Sequence, residues 1–297
     1  MKHFIICYLF LTAGLLKAQE QPCLPIVQSQ QSEETKKLYD QKLQEAKSKL
    51  SEDSANADHT IWYGRRTGYT GRYLDAIDIY TRGISMHPNN ARFYRHRGHR
   101  YITVRCFDKA ITDLTKATVL FKDQVDEIEE DGLPNAKNIP TSTLQTNSWY
   151  HLGLAHFLKG DYKNALAAYN ECIKITDNDD MYVATANWLL ITMKRLGKTK
   201  EADELLKTIN TGMDIIENRD YFEILLMYKS DDEKKLVEKT ITQDSLSNAT
   251  LGFGLGNYYL EKGQRKKAKE IFEKVVAGNQ WASFGFIAAE AELKRMK

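Results

Sequence analysis

The stretch GDYKNALAAYNECI (residues 160–173) carries the most information about architecture. A glycine at its head lets the chain leave one helix and turn. Small Ala165 and large Tyr169 then stand four residues apart, on one face of a second helix. The same arrangement recurs in segments beginning at Ala57, Ala91, Thr146, Val183 and Ala249. Their eighth positions are Gly64, Gly98, Gly153, Leu190 and Gly256, and their twentieth are Ala76, Ala110, Ala165, Ala202 and Ala268. The twenty-fourth positions are Tyr80, Leu114, Tyr169, Leu206 and Phe272. Small residues at eight and twenty let two helices of one unit cross closely, and the large residue is expected to fill space against the next unit. Gly71, Gly160, Gly197 and Gly263 fall where the first helix of a unit must stop, and Pro88 closes the first unit.

A helical pair of about 34 residues with this pattern resembles the tetratricopeptide-repeat (TPR) family. The resemblance implies an all-α, TPR-type helical-hairpin solenoid with flanking N- and C-terminal helices. The organisation expected is an N-terminal segment with a capped polar helix (19–56), units one and two (57–124), an insertion (125–145), units three and four (146–216), a degenerate helical pair (217–248), unit five (249–282) and a C-terminal helix (283–297). That last helix is expected to be the solvating end that solenoids need. Leu190 replaces the usual glycine, so unit four is expected to be splayed. Within the insertion, Gly132, Pro134 and Pro140 rule out a continuous helix.

Residues 1–18 read as a cleaved export signal: Lys2 and His3 precede an apolar core from Phe4 to Leu16, and Ala18 is small enough for cleavage. The expected location is therefore periplasmic or secreted, with no membrane insertion after cleavage. Pro22 before Cys23 spoils a lipid-attachment signal. Without residues 1–18, which carry Lys2 and Lys17 and no acid, Lys+Arg falls from 42 to 40 against 40 Asp+Glu. A formally neutral chain argues against nucleic-acid binding. Cys23, Cys106 and Cys172 are spaced too widely for a metal knuckle or a disulfide framework, and Cys106 and Cys172 read as small buried hydrophobes.

No nucleophile–base pattern, metalloprotease helix or phosphate loop is present, so the reading is a binding protein rather than an enzyme, with no cofactor. GFGLG (residues 252–256) lies inside a helical pattern, where its glycines read as close-packing positions. In TPR proteins ligands meet defined positions of the first helix of each unit. Carried onto this sequence, the resemblance implies a concave groove containing Trp62, Arg65, Arg92, Arg95, His96, His99, Tyr150 and His151. The charge agrees: residues 57–124 hold twelve Lys/Arg, nine of them arginine, against six Asp/Glu. Arginine's planar fork suits carboxylate, sulfate or phosphate. The type resembles the clamp by which co-chaperone TPR domains hold a terminal carboxylate, without matching it residue for residue. The partner expected is an acidic peptide or protein segment; the alternative is a small anionic metabolite or glycan in a pocket closed by the insertion. A solvated basic face is the competing structural reading. His96, His99 and His151 could be spaced for a metal, but no acidic or thiol ligand completes a set and the arginines would repel a cation. Residues 125–145 carry five acids against Lys137, so the insertion is expected to cap the basic groove near Arg95 and His99, to compete with a ligand there, or to act only as a spacer.

Overall fold

The computed structural model describes residues 23, 25–27, 31–130, 135, 137–242 and 245–297, with side chains in all of these but 239–248. The signal segment 1–18 lies outside the described residues. The described residues form fourteen α-helices and no strands. After α1 (Glu33–Glu52) the helices come in pairs: α2 (Ala57–Tyr69) with α3 (Tyr73–Met86), α4 (Ala91–Thr103) with α5 (Phe107–Leu120), and α6 (Leu144–Lys159) with α7 (Tyr162–Ile175). Next come α8 (Asp179–Arg195) with α9 (Thr199–Thr208), α10 (Arg219–Ser230) with α11 (Lys234–Thr242), and α12 (Ser245–Glu261) with α13 (Arg265–Val276). The chain closes on α14 (Phe284–Arg295).

Helix starts reflect local chemistry. Ser32, Asn56, Asn90, Asn178 and Ser283 each accept a hydrogen bond from a backbone N–H of the first turn, and Thr143 and Thr146 form a reciprocal capping box. Gly71, Gly160, Gly197 and Gly263 hold the turn within their units at φ between 70° and 82°. Unit two has no glycine at this place. There Arg105 takes the left-handed conformation, at φ 62°, and the reason lies across the molecule.

Small residues work as the pattern implies, with one correction. A Cβ at Gly64, Gly98, Gly153 or Gly256 would collide with Tyr80, Leu114, Tyr169 or Phe272 respectively. The twenty-fourth residue therefore packs first on the eighth position of its own unit, because the missing Cβ leaves a dent the size of a ring. Contact with the next unit is a second role: the Tyr80 ring also stacks on His96, centroids 5.7 Å apart. Two glycines of GFGLG make the same kind of contact, Gly252 beneath Val275 within unit five and Gly254 beneath Ile224 of the preceding helical pair. Leu190 is fully buried.

Two expectations fail. Cys106 is no lone hydrophobe: it is bonded to Cys23, with Cα atoms 5.2 Å apart, and the Cys23 N–H donates to the Val104 carbonyl at 3.2 Å. The partners are 83 residues apart, so spacing could not reveal them. Cys172 is the buried free thiol, pushed up to about 11 by burial.

The second failure is α14, which is not a solvated end. Ile287, Ala288 and Ala289 have no exposed surface. The helix packs on α12 and α13 and reaches back to α6, where Arg295 donates to the carbonyls of Phe157 (3.0 Å) and Leu158 (2.5 Å). Gly285 lets this happen, since a side chain there would strike the backbone of Ala249. The segment before α14 crosses to unit two. Arg105 lies over the Trp281 ring at 3.7 Å, donates to the Trp281 carbonyl at 2.8 Å and pairs with Glu290 at 3.0 Å. Trp281 in turn stacks on Tyr73. The inner surface of the array is thus partly filled by the chain's own C-terminal part, since an apolar helix of this composition has more surface to bury than a solvated cap would.

Candidate functional site

First helices of successive units lie side by side, so their inward residues converge. Arg65 of α2, Arg95, His96 and His99 of α4, and Tyr150 and His151 of α6 line one cavity of about 340 Å³. Six of the eight residues anticipated from the repeat are therefore together. The other two are not. Trp62 lies outside the lining, its ring covered by the guanidiniums of Arg65 and Arg66 at 4.3 and 4.8 Å. Arg92 also lies outside the lining, half-buried, ion-paired with Asp58 and 3.8 Å from Glu127.

The remaining walls come from places the repeat does not specify. Arg100 comes directly after His99 on α4, Tyr221 comes from α10, and Phe284 opens α14. Phe284 lies 5.4 Å from the rings of both His99 and His151. Asp180, nearly without exposure, accepts hydrogen bonds from the N–H groups of Ile216, Glu217 and Asn218 at 2.5–2.8 Å. It thereby holds the turn that brings Glu217 and Asn218 to the cavity wall. The acidic insertion supplies Glu129. Its base is clamped by an isolated antiparallel bridge, Ile128 to Thr143, and by Asp126, which accepts from the Thr143 hydroxyl at 2.6 Å and the Gln145 N–H at 3.1 Å. From there Glu129 reaches Arg95 at 2.8 Å, and the Glu130 carbonyl accepts from Arg65 at 2.7 Å.

The electrostatics are lopsided. Three guanidiniums, Arg65, Arg95 and Arg100, border the cavity, and of its two bordering carboxylates only Glu129 is seen to pair with one of them. Arg95 donates toward Nδ1 of His96 at 3.1 Å and of His99 at 3.4 Å, while Arg100 approaches the other His99 nitrogen at 2.8 Å. A neutral imidazole accepts at only one nitrogen, so His99 cannot satisfy both arginines. His151 Nδ1 lies 2.6 Å from the Asn147 carbonyl and so carries its proton there. Burial first, and then the neighbouring guanidiniums, hold all three histidines well below their ordinary range. Three guanidiniums against two carboxylates leave the wall positive, which is the chemistry of an anion site. Among the described residues no three His, Cys, Asp or Glu side chains are grouped as metal ligands.

Comparison with known proteins agrees with this architecture. Family models described as tetratricopeptide repeat match residues 146–179 and 253–277. A tetratricopeptide-repeat protein from Parabacteroides merdae has a similar solved structure, with a TM-score of 0.51 at 16% identity, covering 88% of this chain and 95% of that one. The chain is a tetratricopeptide-repeat protein, a class whose members are generally non-catalytic scaffolds that bind other proteins. Rat serine/threonine-protein phosphatase 5 is 24% identical over 107 residues, 36% of this chain but 17% of that protein. A heat-shock protein cognate co-chaperone of Aspergillus fumigatus, sgt12, is 29% identical over 106 residues, 36% of this chain and 25% of the co-chaperone. The chain thus spans a quarter or less of the length of these two relatives. Among the described residues, no helix is long and apolar enough to cross a membrane.

Proposed function

We propose that this chain is an exported TPR binding protein whose inner cavity takes a small anionic ligand. The observation that carries the reading is the convergence of Arg65, Arg95 and Arg100 on a cavity of about 340 Å³, where, among the described residues, Glu129 is the carboxylate that pairs with one of them. That volume is at the small end for ligand pockets, which run from about 300 to 1,000 Å³. It suits a small molecule better than an extended peptide, because Glu129 of the insertion and Phe284 at the head of α14 stand in the groove as walls.

Titration calorimetry with succinate, phosphate and an acidic peptide tests it. Binding of a small anion is expected, weakened at least tenfold in Arg100→Gln, since charge-assisted hydrogen bonds contribute about 1.5–3 kcal/mol each. Absence of binding by every small anion would overturn the cavity reading. The excess of twelve Lys/Arg over six Asp/Glu in residues 57–124 favours a second reading, an acidic segment of a protein partner laid along the basic units. Replacing residues 126–138 by a short Gly/Ser linker separates the two: peptide affinity rises if the insertion competes, and small-anion affinity falls if it builds the site.

Export is supported by the composition of residues 1–18 and by the Cys23–Cys106 bond, which suits an oxidising compartment. Intact-mass analysis of protein recovered from outside the cytoplasm is expected to show a chain beginning near Gln19 with one disulfide. A chain that retains Met1 to Leu16, or two free thiols at Cys23 and Cys106, would contradict export.

A further inference from the structure

We propose that the ligand of this cavity is a hydroxylated carboxylate of sugar size, a uronic acid, with its carboxylate on Arg65 and Arg100 and one hydroxyl between Arg95 and Glu129. The proposal rests on the anion-cavity reading above and deepens it. Arg95 and Glu129 share a single contact, Nη2 to Oε1 at 2.8 Å. A fork-on-fork pairing would also have joined Arg95 Nε to Glu129 Oε2. Both of these atoms are instead buried and without a hydrogen-bond partner, although both residues line the cavity. A buried donor and a buried acceptor left open on one ion pair are costly unless something fills them.

What fills them must accept from Nε and donate to Oε2. A carboxylate or phosphate only accepts, so an anion alone leaves Glu129 unsatisfied and faces its negative charge. An ammonium donates to Glu129, but it has no lone pair for Arg95 and would sit among three guanidiniums. A hydroxyl does both and carries no charge. Three guanidiniums against Glu129 and Glu217 leave one positive charge in excess on the cavity wall, which calls for an acidic group on the same molecule. Tyr150, Tyr221 and Phe284 supply the apolar walls that a pyranose ring would lie against. Glu129 is then part of the binding surface and gives hydroxyl selectivity, in place of acting as a competitor from the insertion.

Calorimetry with D-glucuronate, D-glucose and succinate on the full mature chain tests it. D-Glucuronate is expected to bind at least tenfold more tightly than either other compound, since glucose lacks the acid and succinate the hydroxyl. Sites built to hydrogen-bond a hydroxyl reject analogues without one strongly. In Glu129→Ala, checked for fold by circular dichroism, D-glucuronate should fall by at least tenfold while succinate holds or gains affinity. If that variant does not fold, the three-compound comparison on the wild type decides alone. Succinate binding as tightly as D-glucuronate would overturn the hydroxyl assignment and leave the anion cavity standing; water would then be what fills the pair. Binding of no small anion at all, phosphate included, would remove both.

Discussion

Acidification from pH 7 toward pH 5 is expected to unfold this chain far more steeply than its near-neutral composition suggests. In the folded protein His96, His99 and His151 are kept neutral, first by burial and then by the charges of Arg65, Arg95 and Arg100. In the unfolded chain each would titrate at about 6.5. Below that value and above the depressed folded ones, the unfolded chain binds protons that the folded chain refuses, so stability is lost as pH falls. Each histidine contributes about 1.4 kcal/mol per pH unit in that window, so three give about 4 kcal/mol per unit. A typical total stability of about 5–15 kcal/mol would be consumed within a few pH units. Glu129 is already committed to Arg95, and it and Glu217, the two carboxylates among the described residues of the wall, face three guanidiniums and cannot also neutralise three imidazolium charges. Thermal melts by circular dichroism from pH 8 to 4.5 measure this, with His99→Gln expected to flatten the fall by about a third. Added sulfate should move the fall to lower pH, because an anion in the cavity raises the histidine pKa values. A melting temperature that is level between pH 7 and pH 5 would show that these imidazoles are not held buried and neutral.

Arg105→Gly is expected to lower the melting temperature sharply, although it restores the residue that every other glycine-turned unit uses. Relief of a left-handed non-glycine residue is worth about 1–2 kcal/mol in favour of the variant. Against it stands loss of the guanidinium that lies on Trp281, donates to the carbonyls of Thr103 and Trp281 and pairs with Glu290. Breaking one side of such a largely buried pair costs about 3–5 kcal/mol. The net loss should be about 1–4 kcal/mol. Hydrogen exchange should quicken across residues 281–290, where the crossing segment comes loose, more than in units three and four. A more stable variant would mean that the left-handed strain outweighs the crossing contact. The placement has a functional consequence too: the segment Arg105 holds leads directly into Phe284, a wall of the cavity. The variant should therefore also weaken ligand binding without touching any residue that contacts the ligand.

The gap in the repeat pattern at Arg105 was visible in the sequence, but only as a missing glycine. What the arginine does there needed a partner 176 residues away, and no local pattern encodes such a distance. Glu129 was half visible: an acidic insertion after a basic region suggested contact, whereas the choice of Arg95 depended on the bridge between Ile128 and Thr143. Trp62 and Arg92 show the opposite error. Their repeat positions match groove positions, yet Trp62 is covered by two arginines and Arg92 is drawn to Asp58, outside the cavity.

The helical pairs, their glycine and alanine contacts and the cluster of arginine and histidine on successive first helices were all legible in the amino-acid order. These features arise from periods of three to four residues and of about 34, which are local and additive in a solenoid. That the groove becomes a cavity emerged from the folded chain alone. Its outer walls take Glu129 on Arg95, Tyr221 on Tyr150, Phe284 against His99 and His151, and Asp180 under the turn at 216–218. Each joins residues far apart in the chain, and such pairings depend on the curvature summed over every unit between them, which no single repeat carries.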